Sequence, residues 1–117
     1  MTPQQLKDRT KRFALSVIAL VRDLPFTVDG RELGRQLLRA ATSVASNYRA
    51  ACRARSRAEF IAKLGTVLEE SDESLFWLEL IVESKLKPRC RVDDLMREAS
   101  QLTAIFTASL KTAKRQA

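Results

Sequence analysis

The sequence predicts an all-α protein, an antiparallel up-down-up-down four-helix bundle. Three observations carry that prediction. Apolar residues recur at three-four spacing through four long stretches. Only three Gly and three Pro interrupt 117 residues, too few punctuators for a turn-rich β fold. Charge reverses abruptly at Ser56. Residues 25–57 carry seven basic and two acidic side chains, a net of +5. Residues 58–85 carry two basic and seven acidic ones, a net of −5. A basic helix followed by an acidic one favours antiparallel pairing. Ser56-Arg57-Ala58-Glu59 between them reads as a capping box, and so as a helix start after a chain reversal.

The first helix is expected over about residues 3–23, opened by Thr2 with Pro3 in the first turn, where a missing N–H costs nothing. Its stripe is Leu6, Phe13, Val17, Leu20 and Leu24, widened by Ala14, Ile18 and Val21. Pro25 and Gly30 mark the break. Asp29 then caps a second helix over about 30–55, with Glu32 three residues on. Leu33, Leu37, Ala41, Val44, Tyr48 and Ala51 face its core, while Arg35, Arg39, Thr42, Ser46, Arg49 and Arg53 share the opposite side. The third helix, about 57–86, buries Leu64, Leu75 and Leu78, with Phe60 or Ile61, Val67 or Leu68, and Ile81 or Val82. Phe76, Trp77 and Leu80 widen its apolar surface beyond one stripe. Lys87-Pro88-Arg89 ends it. The fourth helix, about 92–114, starts with Asp93 and Asp94 at the positive end of its dipole and runs a stripe of Leu95, Ala99, Leu102, Phe106 and Leu110. Short links between helices of roughly 30–40 Å imply antiparallel neighbours.

Length and composition fit one domain over 1–117, with 45% hydrophobic and 30% charged residues. The formal net charge of +7 and a pI near 10.0 favour acidic partners such as nucleic acid. Phe13–Val21 superficially resembles a signal peptide, but Arg22-Asp23-Leu24-Pro25 follows in place of a small-residue cleavage site. The run is also too short to span a bilayer, and no membrane partner is expected. Cys52 and Cys90 have neither metal-ligand spacing nor a disulfide framework. They read as reduced thiols of a cytoplasmic protein.

Folding four alternating helices gathers charge at one end. The start of the first helix, the turn between the second and third, and the end of the fourth bring together Lys7, Arg9, Lys11, Arg12, Arg49, Arg53, Arg55, Arg57, Lys111, Lys114 and Arg115. Eleven cations there face only Asp8 and Glu59, a net of +9. The opposite end, where Glu98 falls, carries eight charges of each sign. A concentrated positive pole is the footprint of a phosphate-binding surface. The alternatives are solvated side chains or cations neutralised inside an oligomer, with membrane contact third. Apart from Phe13, no aromatic side chain accompanies these cations, so base stacking lacks a platform and backbone contact is the expected mode.

Chemistry is sparse elsewhere. The chain has no histidine, which removes His-based nucleophile activation and His-containing metal motifs. Glu69, Glu70 and Glu73 form a potential carboxylate cluster, but the other helices offer no acid from their core stripes. Ser43 and Ser46 lack a base, and Gly30, Gly34 and Gly65 form no phosphate loop. No catalytic residue, cofactor or metal ligand is expected.

From Leu33-Gly34-Arg35-Gln36-Leu37 through Ser43-Val44-Ala45-Ser46-Asn47-Tyr48-Arg49-Ala50-Ala51 to Arg53-Ala54-Arg55-Ser56, the polar residues form a pattern as distinctive as the apolar ones. With Glu59-Phe60, Lys63-Leu64, Glu69-Glu70, Asp72-Glu73, Trp77-Leu78-Glu79, Glu98-Ala99 and Ile105-Phe106, the chain resembles the bacterial four helix bundle protein family, also called 23S rRNA-intervening-sequence proteins. The resemblance implies a cytoplasmic homo-oligomer, usually a homopentamer, without known catalytic activity. A related branch, the accessory protein of diversity-generating retroelements, works with a reverse transcriptase and nucleic acid. No motif here assigns the chain to that branch. Within an oligomer, Arg35, Arg39, Glu69, Asp72, Glu73, Phe76, Trp77 and Leu80 are the expected interface. The reading is a non-catalytic oligomeric bundle that binds RNA or DNA through its basic pole. The alternative is a scaffold that recruits a protein partner without nucleic acid.

Overall fold

The computed structural model describes residues 1–116. Four helices follow one another, α1 (Pro3–Arg22), α2 (Val28–Ala51), α3 (Arg57–Glu83) and α4 (Asp93–Arg115), with a single 3-10 turn at Arg89–Arg91. They form an antiparallel bundle of 46 × 20 × 20 Å. α1 packs on α2, α2 on α3 and α3 on α4, and of the neighbouring helices α1 and α4 share the smallest contact.

The core repeats the predicted stripes. Leu6, Phe13, Val17 and Leu20 of α1 meet Leu37, Ala41, Val44 and Tyr48 of α2, Leu64, Val67, Leu78 and Ile81 of α3, and Ala99, Leu102 and Phe106 of α4. The Tyr48 and Phe106 rings stack at a tilt with centroids 5.5 Å apart. Truncating one such large side chain costs about 2–5 kcal/mol. Leu33, Leu75, Leu95 and Leu110 are only partly buried and pack around this centre.

Polar residues fill core positions that the apolar pattern left blank. Thr10 is fully buried, and its hydroxyl bonds back to the Leu6 carbonyl at 3.0 Å. Ser71 and Ser74 are fully buried on α3. Ser74 donates to the Glu70 carbonyl at 2.8 Å, and the Ser71 hydroxyl lies 3.1 Å from that of Thr103 on α4. Small hydroxyls satisfied within their own helix let neighbouring backbones approach without an orphaned polar atom.

Helix ends differ from expectation in instructive ways. At α1, Thr2 caps as expected, and Gln5 completes a capping box. At α2, Thr27 is the cap in place of Asp29, and its hydroxyl oxygen accepts from the Gly30 N–H at 3.1 Å. Asp29 instead accepts from both the Thr27 hydroxyl and the Gly30 N–H, which holds its carboxyl below the ordinary range. Gly30 is required here, because a Cβ would lie 2.1 Å from the Pro25 carbonyl oxygen. α2 stops at Ala51 rather than near residue 55, so Cys52–Ser56 form the reversal.

Ser56 starts α3 by accepting from the Glu59 N–H at 3.1 Å. Glu59 reaches back to the Arg55 N–H at 3.2 Å, one residue before the expected partner. α3 ends at Glu83, short of residue 86, in a left-handed cap. Leu86 N–H bonds to the Ile81 carbonyl and Lys85 N–H to that of Val82. Lys85 occupies the left-handed position with φ 66°, a conformation usually given to glycine.

Two clasps tie distant segments. Asp23, just past α1, pairs with Lys87 and Arg91 of the α3–α4 connection. The Lys87 hydrogen bond and its charge lower the Asp23 pKa, and Arg91 adds to this. Arg9 of α1 forks onto Glu98 of α4, with Nε to Oε2 at 2.6 Å and Nη2 to Oε1 at 2.8 Å.

Two substitutions test these ends by urea unfolding. Ser56→Ala removes the hydroxyl that starts α3 and lowers stability by about 1 kcal/mol. Lys85→Gly relieves the left-handed strain and raises stability by about 1 kcal/mol. A Lys85→Gly protein no more stable than its parent contradicts the cap geometry.

Candidate nucleic-acid interface

The basic residues at this end of the bundle are carried by several elements. Lys7 and Lys11 lie one turn apart on α1, Arg49 lies on the last turn of α2, and Arg53 lies in the reversal just beyond it. These four line a groove of about 530 Å³ between the two helices, with Gln4, Asp8, Ala14, Thr42, Ala45 and Ser46. Arg55 is exposed in the reversal itself. Arg57, in the first turn of α3, donates to Gln116 Oε1 at 3.3 Å. Lys111, Lys114 and Arg115 are exposed on the last turns of α4.

Two of the eleven predicted residues point elsewhere. Arg9 is committed to Glu98, and its Nη2 also donates to Gln101 Oε1 at 2.7 Å. The Glu98 hydrogen bonds raise the guanidinium pKa against the opposing cost of burial. The charge count places Glu98 at the neutral end, whereas α1 and α4 meet with Arg9 beside it. Arg12 lies on the same seam, in a depression lined by Arg9, Phe13, Asp94, Leu95 and Glu98.

Pairing separates this end from the rest of the molecule. Among the described residues, Lys7, Lys11, Arg12, Arg49, Arg53, Arg55, Arg57, Lys111, Lys114 and Arg115 form no ion pair. Every pair except Arg9–Glu98 uses a cation outside the predicted set. The two acids of this end bind neutral donors instead. Asp8 accepts from Gln4 Nε2 at 3.0 Å, and Glu59 from the Arg55 backbone N–H at 3.2 Å. The cations therefore keep their full field toward solvent.

The acidic side of α3 divides into a satisfied and an open part. Arg39 of α2 bridges Glu70 and Glu73. Glu73 also accepts from Trp77 Nε1 at 3.1 Å, and that bond first, with Arg39, lowers its pKa against the burial cost. Arg35 turns to Glu32 on its own helix rather than to α3. Trp77 and Leu80 are half-buried, and Trp77 packs against the core. Glu69 and Asp72 are exposed and form no ion pair among the described residues. Phe76, 49% exposed, meets the Trp77 ring edge-on at 5.1 Å. Ser43 and Asn47 bond to each other within α2, with Nδ2 to Oγ at 2.8 Å.

Sequence reasoning found the cations but not the groove. Its signal lay in the outward side of α2, where Thr42, Ser46 and Arg49 share one face; these three and Arg53 just past the helix line the groove. Cys52 and Cys90 are exposed free thiols. Burial, aided by the adjacent Cys52, pushes the Tyr48 hydroxyl up. No described helix is long and apolar enough to cross a membrane. No group of three or more Cys, Asp or Glu among the described residues could hold a metal ion.

Comparison with curated proteins gives no match. The solved structures include a similar protein of unknown function from the S23 ribosomal protein family of Bacteroides thetaiotaomicron. It superposes with a TM-score of 0.82 at 29% identity, covering 95% of this chain and 99% of that one. The pattern of the 23S rRNA-intervening sequence proteins matches residues 4–108. The chain belongs to the 23S rRNA-intervening sequence protein family.

Proposed function

We propose that this protein is a non-catalytic, self-assembling four-helix bundle that binds the backbone of RNA or DNA through its basic end. The observation that carries the reading is selective pairing. Six of the ten cations elsewhere in the bundle pair with carboxylates, whereas ten of the eleven at this end form no ion pair among the described residues. Phosphates would supply the missing anions and release condensed counterions as they bind. The family's name, drawn from an insertion in 23S rRNA genes, fits an RNA context without defining a ligand.

Self-assembly rests on α3. Gly65, Glu69, Asp72 and Phe76 recur at helical spacing on one face. A Cβ added to Gly65 would meet nothing within 4 Å, so the isolated chain gives that glycine no packing role. A half-exposed Phe76 on the same face leaves apolar area for another copy. The family resemblance points to five copies, an arrangement in which the positive ends add when they share one side. A protein scaffold without nucleic acid is the competing reading, favoured by this same open face.

Two measurements test the proposal. Binding to duplexes of unrelated sequence should weaken with salt, log K falling with a slope of about −4 or steeper against log salt concentration. Absence of binding at low salt rejects nucleic-acid recognition. Phe76→Glu should shift sedimentation toward smaller species while leaving the circular dichroism helical. An unchanged sedimenting mass removes α3 from the interface.

A further inference from the structure

The α1–α2 groove differs from the rest of the basic end because its cations face one another. Lys7 and Lys11 stand on one wall, and Arg49 and Arg53 on the other. On α1 the four-residue step places Lys7 and Lys11 about 6 Å apart along the axis, while Arg49 stands on the last turn of α2 and Arg53 just past its end. Ala14 and Ala45 are among the lining residues, with Thr42 and Ser46, so no bulky side chain fills the cleft. The Thr42 hydroxyl already donates to the Leu38 carbonyl at 2.8 Å. The free donors are therefore the four cations. The N-terminus of α1 lies at this end too, adding the positive pole of its dipole beside Gln4. A concave wall of like charge focuses potential more strongly than the convex, solvent-bathed positions of Arg55, Lys114 and Arg115.

We infer that this groove is the phosphate track: it seats the backbone of one strand of a duplex, with successive phosphates held between Lys7 and Lys11 on one side and Arg49 and Arg53 on the other. The inference rests on the nucleic-acid reading above and names where and how that ligand binds. An opening between two adjacent helices admits one strand's backbone, not a whole duplex. No aromatic side chain lines it, so bases have nothing to stack on and remain paired outside. The contact reads no sequence, because phosphate contacts position a duplex without specifying it. Asp8 is the one acid in the lining, and it repels each phosphate that enters.

The test compares two charge-neutralised proteins and one in which Asp8 is removed, using 20-base-pair RNA and DNA duplexes of mixed sequence. Replacing Lys7, Lys11, Arg49 and Arg53 by Gln should reduce the salt slope by about 3.6, four contacts at about 0.9 each. Replacing Arg55, Arg57, Lys114 and Arg115 by Gln changes the slope by less than about 1 if the groove carries the contacts. Asp8→Asn should tighten binding about threefold at low salt, a gain that misfolding cannot imitate. If the second set abolishes binding while the first leaves it intact, the groove is not the track, although the nucleic-acid reading stands. If the unmodified protein binds neither duplex, that broader reading fails instead. Tighter binding of the single strand, or full competition by millimolar inorganic phosphate, also overturns the inference. Equal affinity for the RNA and DNA duplexes supports it, since the track touches only phosphates.

Discussion

The reversal at Cys52–Ser56 is the constraint on which the rest depends. Without it, the basic second helix and the acidic third would continue as one rod, and α2 and α3 could not pair. Stopping α2 at Ala51 and restarting at Arg57 leaves five residues for the turn. The Ser56 hydroxyl satisfies one orphan donor of the new helix, and Glu59 satisfies the Arg55 N–H beside it. Folded back, Arg39 reaches Glu70 and Glu73, so the charge contrast that marks the turn also holds its two arms in register. Such half-exposed pairs add little stability, about 0–1 kcal/mol each. Their contribution is to orientation, while the buried Leu37, Val44, Leu64 and Leu78 supply the cohesion.

The same reversal decides where positive charge collects. It brings the last turn of α2 beside the first of α1 and α3, so basic residues of the second and third helices and of the two termini share one end. A cluster of like charges opposes folding by its own repulsion. The acids that could neutralise it are few and are bonded to amides: Asp8 to Gln4, and Glu59 to the Arg55 backbone N–H. At the opposite end Asp23 engages both Lys87 and Arg91, and Asp93 and Asp94 pair with Arg89 and Arg97. Ion pairs are concentrated at that end and sparse at the basic one. That asymmetry, rather than the net charge, is what the proposal of an anionic partner rests on.

Most of the architecture was legible because the apolar period is regular and the break at Ser56 carries both a cap and a charge reversal. Helix ends were less so. Asp29 looked like a cap, but Thr27 sits where the Gly30 N–H needs an acceptor, and Asp29 serves the same donor from inside the first turn. α3 ends three residues before the stop that Lys87-Pro88-Arg89 suggests, because its left-handed residue is Lys85, not glycine. Thr10, Ser71 and Ser74 broke the apolar pattern while being buried, since a hydroxyl can return its proton to its own helix. For the candidate site, sequence gave the list of cations but not their partners. Nothing local in Arg9 says that it bonds Glu98, because that contact depends on how α1 and α4 slide past each other.

The Arg9–Glu98 contact bears on the field at the basic end as well as on packing. α1 and α4 share the thinnest seam of the bundle. A forked guanidinium–carboxylate bond there, with Gln101 as a third partner, fixes their relative height more firmly than a point charge would. That seam takes Arg9 out of the cation set together with its own counter-charge. Lys7 and Lys11, two residues to either side of Arg9, point instead toward α2, as a helix turning about 100° per residue requires. α1 thus spends one cation on its grip on α4 and turns two toward α2. The alternation along Lys7, Arg9 and Lys11 is what lets a single short helix serve both the bundle and the open positive surface.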